Sequence, residues 1–177
     1  GADGKQTPQY VVVPDMSTAA YIYIDDAVAA FRTTDTAYIY RKRNGHWRQA
    51  GTFTTTGAST AFTVALQNGT RFGSVDTTLD RLVIPVRLPG VNNAYGALVE
   101  DPGAATGIRL VTVTDIANGT GTFLATADGA IAGYHGNQTH VLNLWTLAAD
   151  GQSFVSTAMP FNHGNISNLV AGTEHSF

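Results

Sequence analysis

Glutamate occurs in this chain only at Glu100 and Glu174, and lysine only at Lys5 and Lys42. These residues normally solvate the outer face of a helix and supply its i to i+4 ion pairs, so a helical fold has almost nothing to build a surface from. Valine, isoleucine, threonine, tyrosine and phenylalanine fill the runs between glycine-containing turns, which suits a pleated, half-buried surface. The chain therefore reads as all-β. Charged residues are 13 % of the 177 and hydrophobic residues 44 %. Polarity thus comes from neutral side chains, and the high-charge, low-hydrophobicity signature of disorder is absent.

The length suits one domain with a core that needs no covalent staple. Cysteine is missing altogether, which excludes disulfides, thiolate catalysis and cysteine-ligated metals. The formal net charge of −3 argues against general nucleic-acid binding while leaving room for a local basic patch. Apolar runs fall well short of the roughly 18 residues of a membrane span, so no membrane insertion is expected. A start at Gly1 without methionine is expected of a trimmed product.

Asn-Gly and Asp-Gly pairs tolerate the positive φ that tight hairpin turns demand. They occur at Asn44-Gly45, Asn68-Gly69, Asn118-Gly119, Asp128-Gly129 and Asp150-Gly151, each between segments of strand character. Two-residue hairpin loops at most of these predict roughly ten to fourteen short strands in a meander or Greek key. Among the expected strands are Thr36–Arg43, His46–Thr54, Arg81–Arg87, Ala97–Glu100, His140–Leu147 and Ser153–Met159, with Gln9–Val13 the first. Pro85 interrupts Leu-Val-Ile-Pro-Val and predicts an edge strand or a bulge. The architecture expected over residues 1–177 is a single antiparallel β-sandwich or squashed barrel of short hairpins. Gly1–Thr7 is expected to be flexible, and one short helix at most is expected, around Ile166–Val170.

Ala37-Tyr-Ile-Tyr-Arg-Lys-Arg-Asn-Gly-His-Trp, and Phe72-Gly-Ser-Val followed by Arg81-Leu-Val-Ile, resemble FG-GAP propeller repeats. The resemblance covers about a quarter of the chain, lacks the calcium-binding Asp-x-Asp-x-Asp-Gly loop of many such repeats, and supplies at most three blades where a closed ring needs four or more. It implies a propeller fragment acting as a surface or lectin-like module.

The sharpest constellation is the hairpin Thr36–Thr54. With Asn44-Gly45 as its loop, Arg43 faces His46, Lys42 faces Trp47, Arg41 faces Arg48 and Tyr40 faces Gln49. Alternation then gathers Arg41, Arg43, His46 and Arg48 on one face, and Tyr38, Tyr40, Lys42 and Trp47 on the other. Four of the chain's ten lysines and arginines fall between positions 41 and 48. Arginine forks suit carboxylate, sulfate and phosphate, and Trp47 can stack on a sugar or hold Lys42 by cation–π attraction. The competing reading pairs these arginines with aspartates of neighbouring strands, Asp25 and Asp26 being candidates, or treats the hairpin as an edge charged against aggregation. Tyr95, in the loop Asn92-Asn93-Ala94-Tyr95, joins the candidate ligand contacts. The candidate ligand-binding set is Arg41, Arg43, His46, Trp47, Arg48 and Tyr95.

His135 and His140 are spaced for neither one strand face nor one helix face, and the aspartates are scattered, so no metal is expected. Gly-x-Ser-x-Gly and phosphate-cradling glycine patterns do not occur. No catalytic residues and no cofactor are expected, although a hydrolase whose groups meet only in space is a further alternative. Sequons at Asn68, Asn118, Asn137 and Asn165 mark exposed loops. The function expected is a non-enzymatic recognition or attachment domain, extracellular or on a virion surface, such as a protruding capsid spike or fibre tip. It would bind a host-cell receptor or acidic glycan and self-associate, a homodimer being favoured.

Overall fold

A computed structural model of the chain describes residues 21–24, 28–32, 36–54, 63–64, 73–88, 94–113, 123–125, 128–133 and 141–160. The strands are β1 (Tyr21–Ile24), β2 (Val28–Arg32), β3 (Thr36–Arg43), β4 (His46–Thr54), β5 (Thr63–Val64), β6 (Ser74–Asp76), β7 (Arg81–Leu88), β8 (Ala94–Glu100), β9 (Ile108–Thr112), β10 (Phe123–Ala125), β11 (Ile131–Gly133), β12 (Val141–Leu147) and β13 (Phe154–Pro160). All named strand pairs are antiparallel, and no helix occurs among the described residues. The expected first strand, the expected helix, and the turns at Asn68-Gly69 and Asn118-Gly119 lie outside the described residues.

The strands form three sheets in chain order: β1-β2-β3-β4, then β5-β7-β8-β9 with β6 also on β7, then β10-β11-β12-β13. The middle sheet is covered on both faces. Leu82, Ile84, Val86 and Leu98 point toward the first sheet and meet Val28, Ala30, Ala37 and Ile39. The alternate residues Val83, Ala97, Val99 and Val111 meet Ile131, Trp145 and Leu147 of the third. Burial on two faces explains why β7 reads as a nearly continuous apolar run.

Among the described residues Pro85 has a strand partner on one side of β7 only. β6 pairs with β7 through Val83, and β5 pairs with it from Val86 onward. Pro85, opposite Ala97 on the other side, falls in the gap between those short partners, where a missing N–H costs no ladder bond. Only Asn44-Gly45 among the described turn pairs is a two-residue loop, with φ of 50° and 78°. Asp128-Gly129 and Asp150-Gly151 stand in longer connections, and there the glycine alone takes positive φ.

The first and middle sheets are joined at their edges by a glycine contact. Thr52 N–H donates to Thr106 O at 2.9 Å, and Thr52 bridges to Gly107. Gly51 lies so close to this turn that a Cβ there would come within 2.9 Å of both the Gly107 carbonyl carbon and the Ile108 side chain. Gly51→Ala is expected to lower stability by about 1 to 3 kcal/mol, as overpacking does elsewhere; urea denaturation of the variant beside the parent checks this.

Candidate functional site

The register of the β3–β4 hairpin is the one its sequence predicts: Arg43 opposite His46, Lys42 opposite Trp47, Arg41 opposite Arg48 and Tyr40 opposite Gln49. Below Tyr40 it shifts, because Ile39 pairs with Gly51 and Ala50 becomes the extra residue of a bulge. The strand then bends and twists more sharply toward its tip.

Alternation along β3 puts Arg41 in the row that begins Ala37 and Ile39, and that row faces the middle sheet. The arginine face therefore turns inward at its base. Arg41 is buried, its side chain 8 % exposed. On the facing sheet the row Leu98 and Leu82 ends at Glu100, whose side chain is 15 % exposed. Arg41 Nη1 donates to Glu100 Oε2 at 2.8 Å and to the Asp80 carbonyl at 2.7 Å, while Nη2 bonds the Asp80 carboxylate. Glu100 Oε2 also accepts Leu82 N–H at 3.2 Å. Asp80 reaches this position from the β6–β7 turn with φ of 53°.

Arg43, one step nearer the tip and half exposed, contacts the same two carboxylates at 3.3 Å each. Two guanidinium groups thus meet two carboxylates, which offsets the repulsion between like charges two positions apart on one strand face. The partners are Asp80 and Glu100; Asp25 and Asp26, the candidates from sequence, lie outside the described residues. Glu100 had a sequence signal, a lone carboxylate closing an apolar strand. Asp80 had none, since only the tertiary fold brings it across.

His46 and Arg48 share this face and are exposed, with no ion pair among the described residues. On the other face Lys42 Nζ lies 5.8 Å from the centroid of half-buried Trp47, within cation–π range. Deeper on that face Tyr40 is buried and meets Phe31 edge to face at 5.6 Å. The fold thus brings together Arg41, Arg43, His46, Trp47 and Arg48 but not Tyr95. Tyr95 belongs to β8, opposite Arg87, and is buried in the core between the middle and third sheets. Its strand starts earlier than expected, which draws the aromatic out of the loop and into packing.

The Arg41 hydrogen bond, followed by the charges of Arg41 and Arg43, holds the Asp80 carboxyl below its usual range. Asp101 is likewise lowered, first by the Gly103 N–H and then by Arg109, whose guanidinium lies 2.6 Å away. Folded-state values below the unfolded ones mean that both groups stabilise the fold fully above the unfolded pKa of about 3.9, and that this is lost as pH falls through the folded values. Denaturation midpoints are expected to hold between pH 7 and 5 and to drop progressively below about pH 4.5. Replacing either aspartate by asparagine should flatten the drop.

A cavity of about 320 Å³ lies on the opposite side of the same β6–β7 turn, lined by Asp76, Thr78, Leu79, Asp128, Thr146 and Ala149 among others. Asp76 Oδ1 accepts the N–H groups of Thr78 and Leu79. Its two carboxylates give this cavity the sign opposite to the hairpin tip. Among the described residues no three histidine or carboxylate side chains converge as a metal site, and no helix is long and apolar enough to cross a membrane. His46 is the single histidine within the described residues, and it takes no serine or carboxylate partner there. No protein-family model matches the chain, and no curated protein matches it in sequence.

Proposed function

We propose that the chain is a non-enzymatic recognition domain, exposed outside the cell or on a virion such as a capsid spike or fibre tip. It docks a host-cell receptor or an acidic glycan on the tip of the β3–β4 hairpin. The observation that carries this reading is the division of labour among the cations. Arg41 and Arg43 are matched by Asp80 and Glu100, whereas His46 and Arg48 stand exposed on the same face and Lys42 stands exposed beside the half-buried Trp47 on the other. Exposed cations at a hairpin tip suit an anionic sugar, the charge met by Arg48 with His46 on the same face. Self-association as a dimer belongs to the same reading, because two weak tips on one particle bind with avidity.

The test is a glycan array at low and physiological salt with the double variant His46→Ala/Arg48→Ala beside the parent. Selective binding of sialylated or sulfated glycans, weakened at least tenfold in the variant and by salt, is expected. Both substitutions are on exposed positions and should change stability by less than about 0.5 kcal/mol. No binding by folded parent protein would remove the glycan from the proposal.

A second reading has its own support. Three sheets, built mostly as up-and-down meanders, stack face to face in chain order, which is how propeller blades succeed one another. On this reading the chain is an FG-GAP-like fragment serving as a surface or lectin-like module. Native mass and electron microscopy separate the two: a closed ring of blades favours the second, an isolated stack of three sheets the first.

A further inference from the structure

The β3–β4 loop consists of Asn44 and Gly45 alone, because the ladder closes at Arg43 and His46. Both loop residues are exposed, with φ of 50° and 78°. Gly45 has open space where a side chain would stand, with no atom within 4 Å of that position. Asn44 therefore places a side-chain amide one residue before a main-chain nitrogen that no Cβ shields. An amide carbon and a following backbone nitrogen can close a five-membered ring, and a side chain on the following residue slows that closure by crowding the nitrogen. Asn143, the other asparagine among the described residues, lacks this setting. It is paired in β12 with Gly133 on one side and Ala158 on the other, and the bulky Leu144 follows it.

We propose that Asn44 is a site of spontaneous covalent modification, deamidation through Gly45, which turns a neutral amide at the hairpin tip into a carboxylate. The Gly45 nitrogen, its proton given up to solvent, attacks Asn44 Cγ. The new N–Cγ bond forms, the Cγ–Nδ2 bond breaks, and Nδ2 leaves as ammonia with a proton from water. A second water then opens the ring at one of its two carbonyl carbons, so no oxidant or further reactant is needed. Opening at Cγ gives aspartate, which tolerates the positive φ of the turn. Opening at the main-chain carbonyl of residue 44 gives isoaspartate, whose main chain runs through Cβ and lengthens a loop built for two residues. Either product adds one negative charge to the tip that carries Arg43, His46 and Arg48. Resting on the reading of the tip as an anion-docking surface, the modification weakens docking as the protein ages.

The test incubates the folded chain at 37 °C and at pH 6.5 and 8.5, then maps its peptides by mass spectrometry beside a linear peptide of residues Arg41–Arg48. A mass gain of one dalton at Asn44, with aspartate and isoaspartate both present, is expected, while Asn143 keeps its mass. Only the two loop residues must move for the ring to close, so conversion in the folded chain is expected within about tenfold of the linear peptide's rate. It should run roughly tenfold or more faster at pH 8.5, because the attacking nitrogen must first lose its proton. Asn44→Gln, whose longer side chain closes a ring poorly, should keep its mass. An unchanged Asn44 in the folded chain while the linear peptide converts overturns the proposal, as does equal conversion at Asn143. Calorimetric titration with a sulfated oligosaccharide reads the consequence: Asn44→Asp is expected to bind about threefold more weakly than the parent. A parent that binds none overturns the docking reading and the loss of affinity with it, and the mass gain at Asn44 still decides the modification.

Discussion

Replacing Arg41 with alanine is expected to cost about 3 to 5 kcal/mol, the range for removing one partner of a buried ion pair. The cost comes from what is left behind. Among the described residues Glu100 would keep only Leu82 N–H and the longer contact to Arg43, and Asp80 would lose both its side-chain and its carbonyl bond to Arg41. Arg41→Met combined with Glu100→Gln should be milder than Arg41→Ala alone, because it fills the volume and leaves no uncompensated charge. Arg48→Ala, directly across the ladder, should change stability by less than about 0.5 kcal/mol. Chemical denaturation of the four proteins at pH 7 checks the ranking, and a stable Arg41→Ala would show that the inner pair carries no structural role.

Gly129→Ala is expected to lower stability by about 3 kcal/mol or more. Gly129 has a φ of 89°, and an alanine there meets the left-handed-region penalty of about 1 kcal/mol. Its Cβ would also collide with the Asp76 backbone and lie 2.7 Å from Asp76 Cβ. Those atoms belong to a paired strand, so no rotamer change clears them. Its N–H donates to the buried Ser74 hydroxyl at 3.0 Å, which fixes the β10–β11 turn against β6. Ser74→Ala, which removes that acceptor without a clash, should cost only about 1 to 2 kcal/mol. Thermal melts of both variants test whether this turn locks the third sheet to the middle one.

The strands of the hairpin were legible because two local rules agree there. Asn44-Gly45 sets the turn, and alternation around it sets which residues oppose each other. The direction of the faces was not legible. Whether Arg41 points to water or into the molecule depends on the sheet that packs against Ala37 and Ile39, a contact made by residues 40 to 60 positions away. The same long-range packing chose Asp80 and Glu100 as partners. Tyr95 illustrates the opposite error, in which asparagines on the N-terminal side suggest a loop although the apolar row through Ala97 and Val99 carries the strand back to Ala94. The bulge at Ala50 follows from Gly51 and Gly107 meeting between sheets, which no local pattern announces.

The tip of the β3–β4 hairpin is the proposed docking surface. The most direct measurement is a titration of the isotopically labelled chain with a sulfated oligosaccharide, followed by amide chemical shifts. Shifts that saturate together and centre on Lys42 to Arg48, while Arg41 and Glu100 move little, are the predicted result. Shifts centred on the cavity around Asp76 and Asp128, or none at millimolar ligand, would contradict it.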